Sequence, residues 1–317
     1  MTFPNRILLM DQPPMAIGID PKVAFAFKKL LGSRDHPEIT IHFLNSVLGG
    51  DPLIKSVEIL NPFNEKDFED DKLSILDVKA TDDQGRLLDI EMQTSLPGEL
   101  ANRLIFYAAS QYVTQLREGA RYANLMPSIG ISVLDGILFQ EVPDLHLDFR
   151  LRSQSPALTL SDALQVHLLE LPKYTPPGDN IVVQDPLEQW VYFFRRAAYL
   201  TGDELTSRLV DPVFTEAARV LEMISRSPDD RALYEARLKL QRDEQSRLEA
   251  AEARGKEIGT EIGKEIGEAR GRIQGKIQLL QGLLNEPESP ADLLSTMSDE
   301  ALTQLQASLQ ERLRSRG

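Results

Sequence analysis

"ILDVKATDDQGRLLDIEMQ" occupies residues 75–93, and its reading decides the fold. Apolar residues alternate with polar ones on both sides of Asp83-Gln84-Gly85. A period of two marks paired strands with one face buried. Leu76, Val78 and Ala80 share one face, and Leu88, Ile90 and Met92 share one on the return strand. Burying both rows together fixes the parity of the register, because a slip of one residue would turn one row to solvent. A loop made of Asp83, Gln84 and Gly85 satisfies that parity and puts Gly85 at the left-handed position such loops require. The opposite face then carries Asp77 and Lys79 on the first strand, and Asp89, Glu91 and Gln93 on the second. Counting back from the turn, Arg86 faces Asp82, Asp89 faces Lys79, and Glu91 faces Asp77.

The Lys79–Asp89 pair is attractive, but like charges directly opposite one another are destabilising, and the Cβ atoms of Asp77 and Glu91 stand about 5 Å apart. Two readings stay open. Exposed acids repel little in water and salt, so the face is simply solvated. Alternatively, the two carboxylates share a divalent cation; Mg²⁺ takes oxygen ligands, often one or two carboxylates completed by water and phosphate. Gln93 points to the same side and can orient a water or a phosphate, although a neutral amide cannot act as a base.

Around the hairpin the chain is mixed α/β. "DPKVAFAFKKLLG" (residues 20–32) predicts a helix with Asp20 as N-cap and Pro21 at the first position. Asp20 has a metal-ligand role as its alternative. Residues 38–48 predict a second helix, 55–60 a strand, 61–71 an acidic loop, and 99–117 a third helix. Strands are expected around Ile129–Val133, over 144–152 with Leu145, Leu147, Phe149 and Leu151 on one face, and over 166–171. Four segments follow from composition: a core over 15–175, a helical extension over 186–250, a glycine-repeat helix over 251–280, and a small helical segment over 285–317 with Ser289 and Ser298 as caps.

Composition excludes several classes. The chain has 317 residues, 42% of them hydrophobic and 26% charged, as in globular proteins. Cysteine is absent, which excludes disulfides, thiolate metal sites and cysteine nucleophiles and fits a reducing cytoplasm. No apolar run is long enough for a membrane span or a signal-peptide core, so no membrane partner is expected. The formal net charge of −14 argues against a protein that coats nucleic acid by bulk attraction. A local patch with bound metal remains compatible with it. The four histidines lack the spacing of a metal site.

"GIDPKVAFAFKKLLGS", "IHFLNSVLGG", the hairpin, "NRLIFYAASQYVTQLREGARYANLMPSIGISVLDGILF" and "QWVYFFRRAAYL" occur in that order. Together they resemble the bacterial Rpn family of recombination-promoting nucleases and transposase-like proteins, within the PD-(D/E)XK nuclease superfamily, over roughly residues 15–270. The resemblance implies a restriction-endonuclease-like mixed sheet flanked by helices, followed by an all-helical C-terminal region. It implies a cytoplasmic Mg²⁺-dependent endodeoxyribonuclease, with Mn²⁺ as a substitute ion and DNA as partner, acting in recombination or mobile-element biology. The superfamily's first acid falls on Asp77 and its second on Glu91, both metal ligands. The position usually held by lysine falls on Gln93, which departs from the superfamily pattern while matching this family's "IEMQ" form. Lys79, Arg103 and Tyr107 are the candidate substrate contacts, with ion pairing and structural support as their plainer alternatives.

Residues 255–278 form six tetrads that each begin with glycine. Each helical glycine costs roughly 1 kcal/mol relative to alanine, so either a gain offsets it or the segment is partly ordered. Ile258, Ile262, Ile266, Ile273 and Ile277 form a ridge beside the glycines, a surface on which a second helix can approach closely. A period of four would make any coiled coil right-handed. Homodimerisation through this helix and a flexible spacer are the competing readings. A catalytically silent nuclease-fold protein acting through its helical tail is the alternative to the enzyme.

Overall fold

The computed structural model describes residues 16–50, 53–61, 63, 77–119, 121–154, 158–176, 178 and 181–316. Most of the expected acidic loop and the first two residues of the quoted hairpin, Ile75 and Leu76, lie outside the described residues. The chain divides into two compact units, 1–243 and 244–317.

The first unit is built on a sheet of six strands. They are β1 (Val57–Ile59), β2 (Val78–Asp82), β3 (Leu87–Gln93), β4 (Ser128–Leu134), β5 (His146–Arg152) and β6 (Thr159–Glu170), in the order β1-β2-β3-β4-β6-β5. The β1-β2-β3 ladder is antiparallel, β3-β4-β6 is parallel, and β5 closes the far edge antiparallel to β6. The hairpin takes the register that buries both apolar rows: Lys79 faces Asp89, Ala80 faces Leu88 and Val78 faces Ile90. Gly85 has φ +78°, the left-handed value the loop demands.

Parallel strands need a crossover, and α3 (Leu100–Val113) supplies it between β3 and β4. It lies on one sheet face, where Leu100 and Leu104 pack with Leu134 and Leu168. The other face carries Val78, Ala80, Leu88, Ile90, Ile129, Ile131 and Val133 into the main core. Helices α1 (Ala24–Leu31), α2 (Pro37–Leu48), α4 (Pro186–Arg196) and α6 (Val213–Arg226) contribute to the same core, with the short α5 (Gly202–Thr206) beside α6. Trp190 is fully buried and packs against Phe43, Phe193, Phe194 and Phe214. Each such aromatic side chain contributes a large share of the burial that holds the unit together.

Helix α1 begins at Ala24, four residues later than the expected cap position. Asp20 instead accepts a hydrogen bond from the Lys22 backbone N–H at 2.9 Å, an Asx turn ahead of the helix. Strand β6 is longer than expected, and the outer half of β5 leaves Phe149 and Leu151 exposed.

Helix α7 (Pro228–Leu283) is continuous, and its residues from 244 onward belong to the second unit. The glycine tetrads are therefore helical throughout. The second unit also contains α8 (Ala291–Thr296) and α9 (Asp299–Arg314). Ile277, Leu280, Leu284, Leu294, Leu302 and Leu309 form its core. Ser298 caps α9 through the Ala301 N–H, as expected. Ser289 caps nothing; its hydroxyl accepts from Gln281 on α7, and Pro290 precedes α8.

Candidate active site

Strand alternation places Lys79, Asp89, Glu91 and Gln93 on the sheet face that α3 covers. Asp77 precedes β2 by one residue, and extending the register sets it across from Glu91. Asn61 holds that end of the strand. Its Nδ2 donates to the Asp77 carbonyl at 3.0 Å, and its Oδ1 accepts from the Lys79 N–H at 2.7 Å.

The Glu91 carboxylate is fixed from both sides. Gln93 Nε2 donates to Oε2 at 2.7 Å, and Ser132 Oγ on the neighbouring strand donates to Oε1 at 2.9 Å. Burial pushes the Glu91 pKa above the usual range; the Ser132 and Gln93 hydrogen bonds and the charge of Arg103 oppose the rise, while Asp77 adds to it. The amide at the position a lysine usually holds therefore orients the acid.

Lys79 differs from expectation. It faces Asp89 in the ladder, but its ammonium lies 3.2 Å from Asp77 Oδ2. Burial works against the Lys79 charge, and the attraction of Asp77 and Asp89 overcomes it, so its pKa is raised. Asp89 is left in an unusual position. Burial, the nearby charges of Asp77 and Glu91, and close contact with the Asp77 carboxyl push its pKa up to about 7 against the pull of Lys79. Its Oδ1 is shut off from solvent and has no hydrogen-bond partner.

Arg103 and Tyr107 project from α3 one turn apart. The Arg103 guanidinium sits 5.8 Å from the Tyr107 ring centre, and the Tyr107 hydroxyl is 3.5 Å from Arg103 Nη2. Arg103 acts on Glu91 and Tyr107 on Lys79, so both stand at the rim of the acid cluster. Asp20 is engaged elsewhere, with Lys22, which also pairs with Asp135 at 2.7 Å.

The donor set suits a hard cation: clustered carboxylates, two of them with raised pKa, and one oxygen without a donor. Among the described residues no three acidic or histidine side chains converge as a ready-made cage. A cation bound here would thus draw its remaining ligands from water and substrate, as Mg²⁺ commonly does. Sequence reasoning missed Asn61, Ser132 and the isolation of Asp89. The first two act across 16 and 41 residues of chain, which leaves no local pattern to read.

A mixed sheet flanked by helices, with paired acids at the end of one antiparallel hairpin, is the architecture of a restriction-endonuclease-like protein. The chain belongs to the PD-(D/E)XK nuclease family transposases, whose family model matches residues 21–251. No curated protein and no solved structure gives a significant match to the chain. Among the described residues no helix is long and apolar enough to cross a membrane.

Proposed function

We propose that this chain is a divalent-metal-dependent endonuclease that hydrolyses DNA phosphodiester bonds in the cytoplasm. The observation that carries the reading is the acid face of the β2–β3 hairpin, on a chain whose family is a nuclease family. Asp77 and Glu91 are the residues that would hold Mg²⁺ or Mn²⁺. The bound ion supplies an acidified water and offsets charge on the phosphate. Gln93 and Ser132 keep the Glu91 carboxylate in one orientation, which removes a reorganisation cost during the reaction. Lys79 holds Asp77 in place until a phosphate competes for its ammonium. Arg103, paired with Tyr107 at the rim, contacts the DNA backbone. The family's transposase designation makes recombination or mobile-element biology the proposed setting.

The tail supports a second element of the proposal, a homodimer. Ile258, Ile262 and Ile266 are 57, 51 and 53% exposed along one line of α7, and a Cβ on each adjacent glycine would meet no atom within 4 Å. A second α7 in a close crossing fits that surface.

A non-catalytic reading draws on two observations. Gln93 stands where a lysine usually activates water, and Lys79 neutralises one of the two acids. Incubation of supercoiled plasmid with the full chain separates the readings. Nicking with Mg²⁺ or Mn²⁺ that EDTA abolishes supports the enzyme. Intact plasmid in both ions, with well-folded protein, sinks it.

A further inference from the structure

We propose that the outer face of α3 is a stacking platform for unpaired nucleobases, so that the DNA taken up at this site is single-stranded or locally opened. The inference rests on the DNA reading above and narrows its substrate class.

Three observations carry it. First, α3 exposes an apolar row. Phe106 and Val113, seven residues apart and so on one line of the helix, are 66 and 67% exposed, and Ile105 beside them is 60% exposed. Leu100, Leu104 and Ala108 form the buried side of the same helix. Single exposed apolar residues are ordinary, whereas a row of them marks a contact surface. Secondly, the charge of this face runs against the charge of the chain. Acids number 49 and the net charge is −14, yet residues 100–117 contain no acid and include Arg103 and Arg117. Both arginines are exposed. Thirdly, the row starts at the acid cluster. Arg103 precedes Phe106 by one turn and acts on Glu91. The Tyr107 ring, 5.8 Å from the Arg103 guanidinium, lies edge-on to the Phe106 ring with centres 6.0 Å apart.

These features select the occupant. An arginine beside exposed rings can meet a phosphate and its neighbouring base together. Phe106 has no polar atom, so it offers nothing to a phosphate or to the hydrogen-bonding edge of a base; what it can cover is the flat face of a base. A duplex keeps those faces stacked within itself, and an unpaired strand presents them. A second copy of the chain fits poorly. A two-fold contact sets a patch against itself, which would bring Arg103 and Arg117 onto a face without a counter-charge. A strand with a phosphate at Arg103, and with its next bases stacked on Phe106 towards Val113, satisfies all three observations.

The test is fluorescence anisotropy of labelled oligothymidylate and of a labelled duplex of equal length, at low salt and in EDTA so that no strand is cut. The full chain is compared with Phe106→Ala, Phe106→Leu and Phe106→Trp, each shown by circular dichroism to be folded and by analytical ultracentrifugation to keep its mass. The alanine and leucine variants should lose roughly tenfold in affinity for the single strand and no more than about twofold for the duplex, while the tryptophan variant keeps wild-type affinity for both. Single-strand affinity unchanged in Phe106→Ala overturns the platform, and so does an equal loss for both DNAs. A drop in the mass of Phe106→Ala with unchanged single-strand affinity assigns the row to a second copy and overturns it too. Wild type that binds neither DNA overturns the DNA reading together with the platform. Single-strand binding that depends on Phe106, in a protein that nicks no plasmid, overturns the nuclease and leaves the platform standing.

Discussion

Asp89→Asn should stabilise the metal-free protein at pH 8 and change it little at pH 4. In the folded chain burial pushes the Asp89 pKa up to about 7, against an ordinary aspartate value of 3.8. Below pH 3.8 the carboxyl is protonated whether the chain is folded or not, and burial carries no charge penalty. Between about 4 and 7 the unfolded chain releases the proton while the folded chain keeps it. The folded state then binds more protons, and stability falls as pH rises. Above 7 the penalty is constant. Three pK units at about 1.4 kcal/mol each set a ceiling of about 4 kcal/mol. That ceiling already contains the pull of Lys79, but the variant also forfeits the contact with Asp77, worth about 1 kcal/mol. The net expectation is a gain of about 1–3 kcal/mol at pH 8 and well under 1 kcal/mol at pH 4. Urea unfolding in EDTA at the two pH values reads it directly, as a shift in midpoint with unchanged slope. A variant that gains nothing at pH 8, or gains equally at both, refutes the electrostatic account of this residue.

Three other outcomes follow from named contacts. Ser132→Ala removes the donor to Glu91 Oε1 and should cost about 1–2 kcal/mol in unfolding experiments; plasmid nicking should slow with it, whereas Ser132→Thr keeps the donor. His167, buried against His146 at the β5–β6 edge, has a pKa held down to about 4 by burial. Its unfolded form takes up a proton first, so stability should fall by about 3 kcal/mol as pH drops from 6.5 to 4. His167→Phe should flatten that slope in a pH series of urea midpoints. Ile262→Asp with Ile266→Asp should turn a homodimer into a monomer by analytical ultracentrifugation while leaving the helical circular dichroism intact; a mass unchanged from wild type would remove the proposed α7 contact.

The hairpin was legible because two constraints agree: the parity of two apolar rows and a glycine where the loop needs a left-handed residue. They fix backbone register but not rotamers. The backbone puts Lys79 across from Asp89, yet its flexible stem lets the ammonium settle on Asp77. Asp20 shows a similar ambiguity, since a short carboxylate can close an Asx turn as readily as cap a helix. The isoleucine ridge reads as uniform along α7, but its later members Ile273 and Ile277 pack into the core that α8 and α9 share with α7. Only Ile258, Ile262 and Ile266 remain exposed. That division depends on long-range folding that a four-residue period does not encode. Glycine's helix penalty did not break α7, because the flanking Lys, Glu, Ala and Arg residues are strong helix formers.

The central claim is that the acids of the hairpin hold a metal for phosphodiester cleavage. It is tested most directly by nicking of supercoiled plasmid with Mg²⁺, comparing wild type with Asp77→Asn and Glu91→Gln, each first shown to be folded. The account predicts cleavage by wild type and a loss of at least a hundredfold in both variants. Equal behaviour of all three, whether cutting or idle, would contradict it.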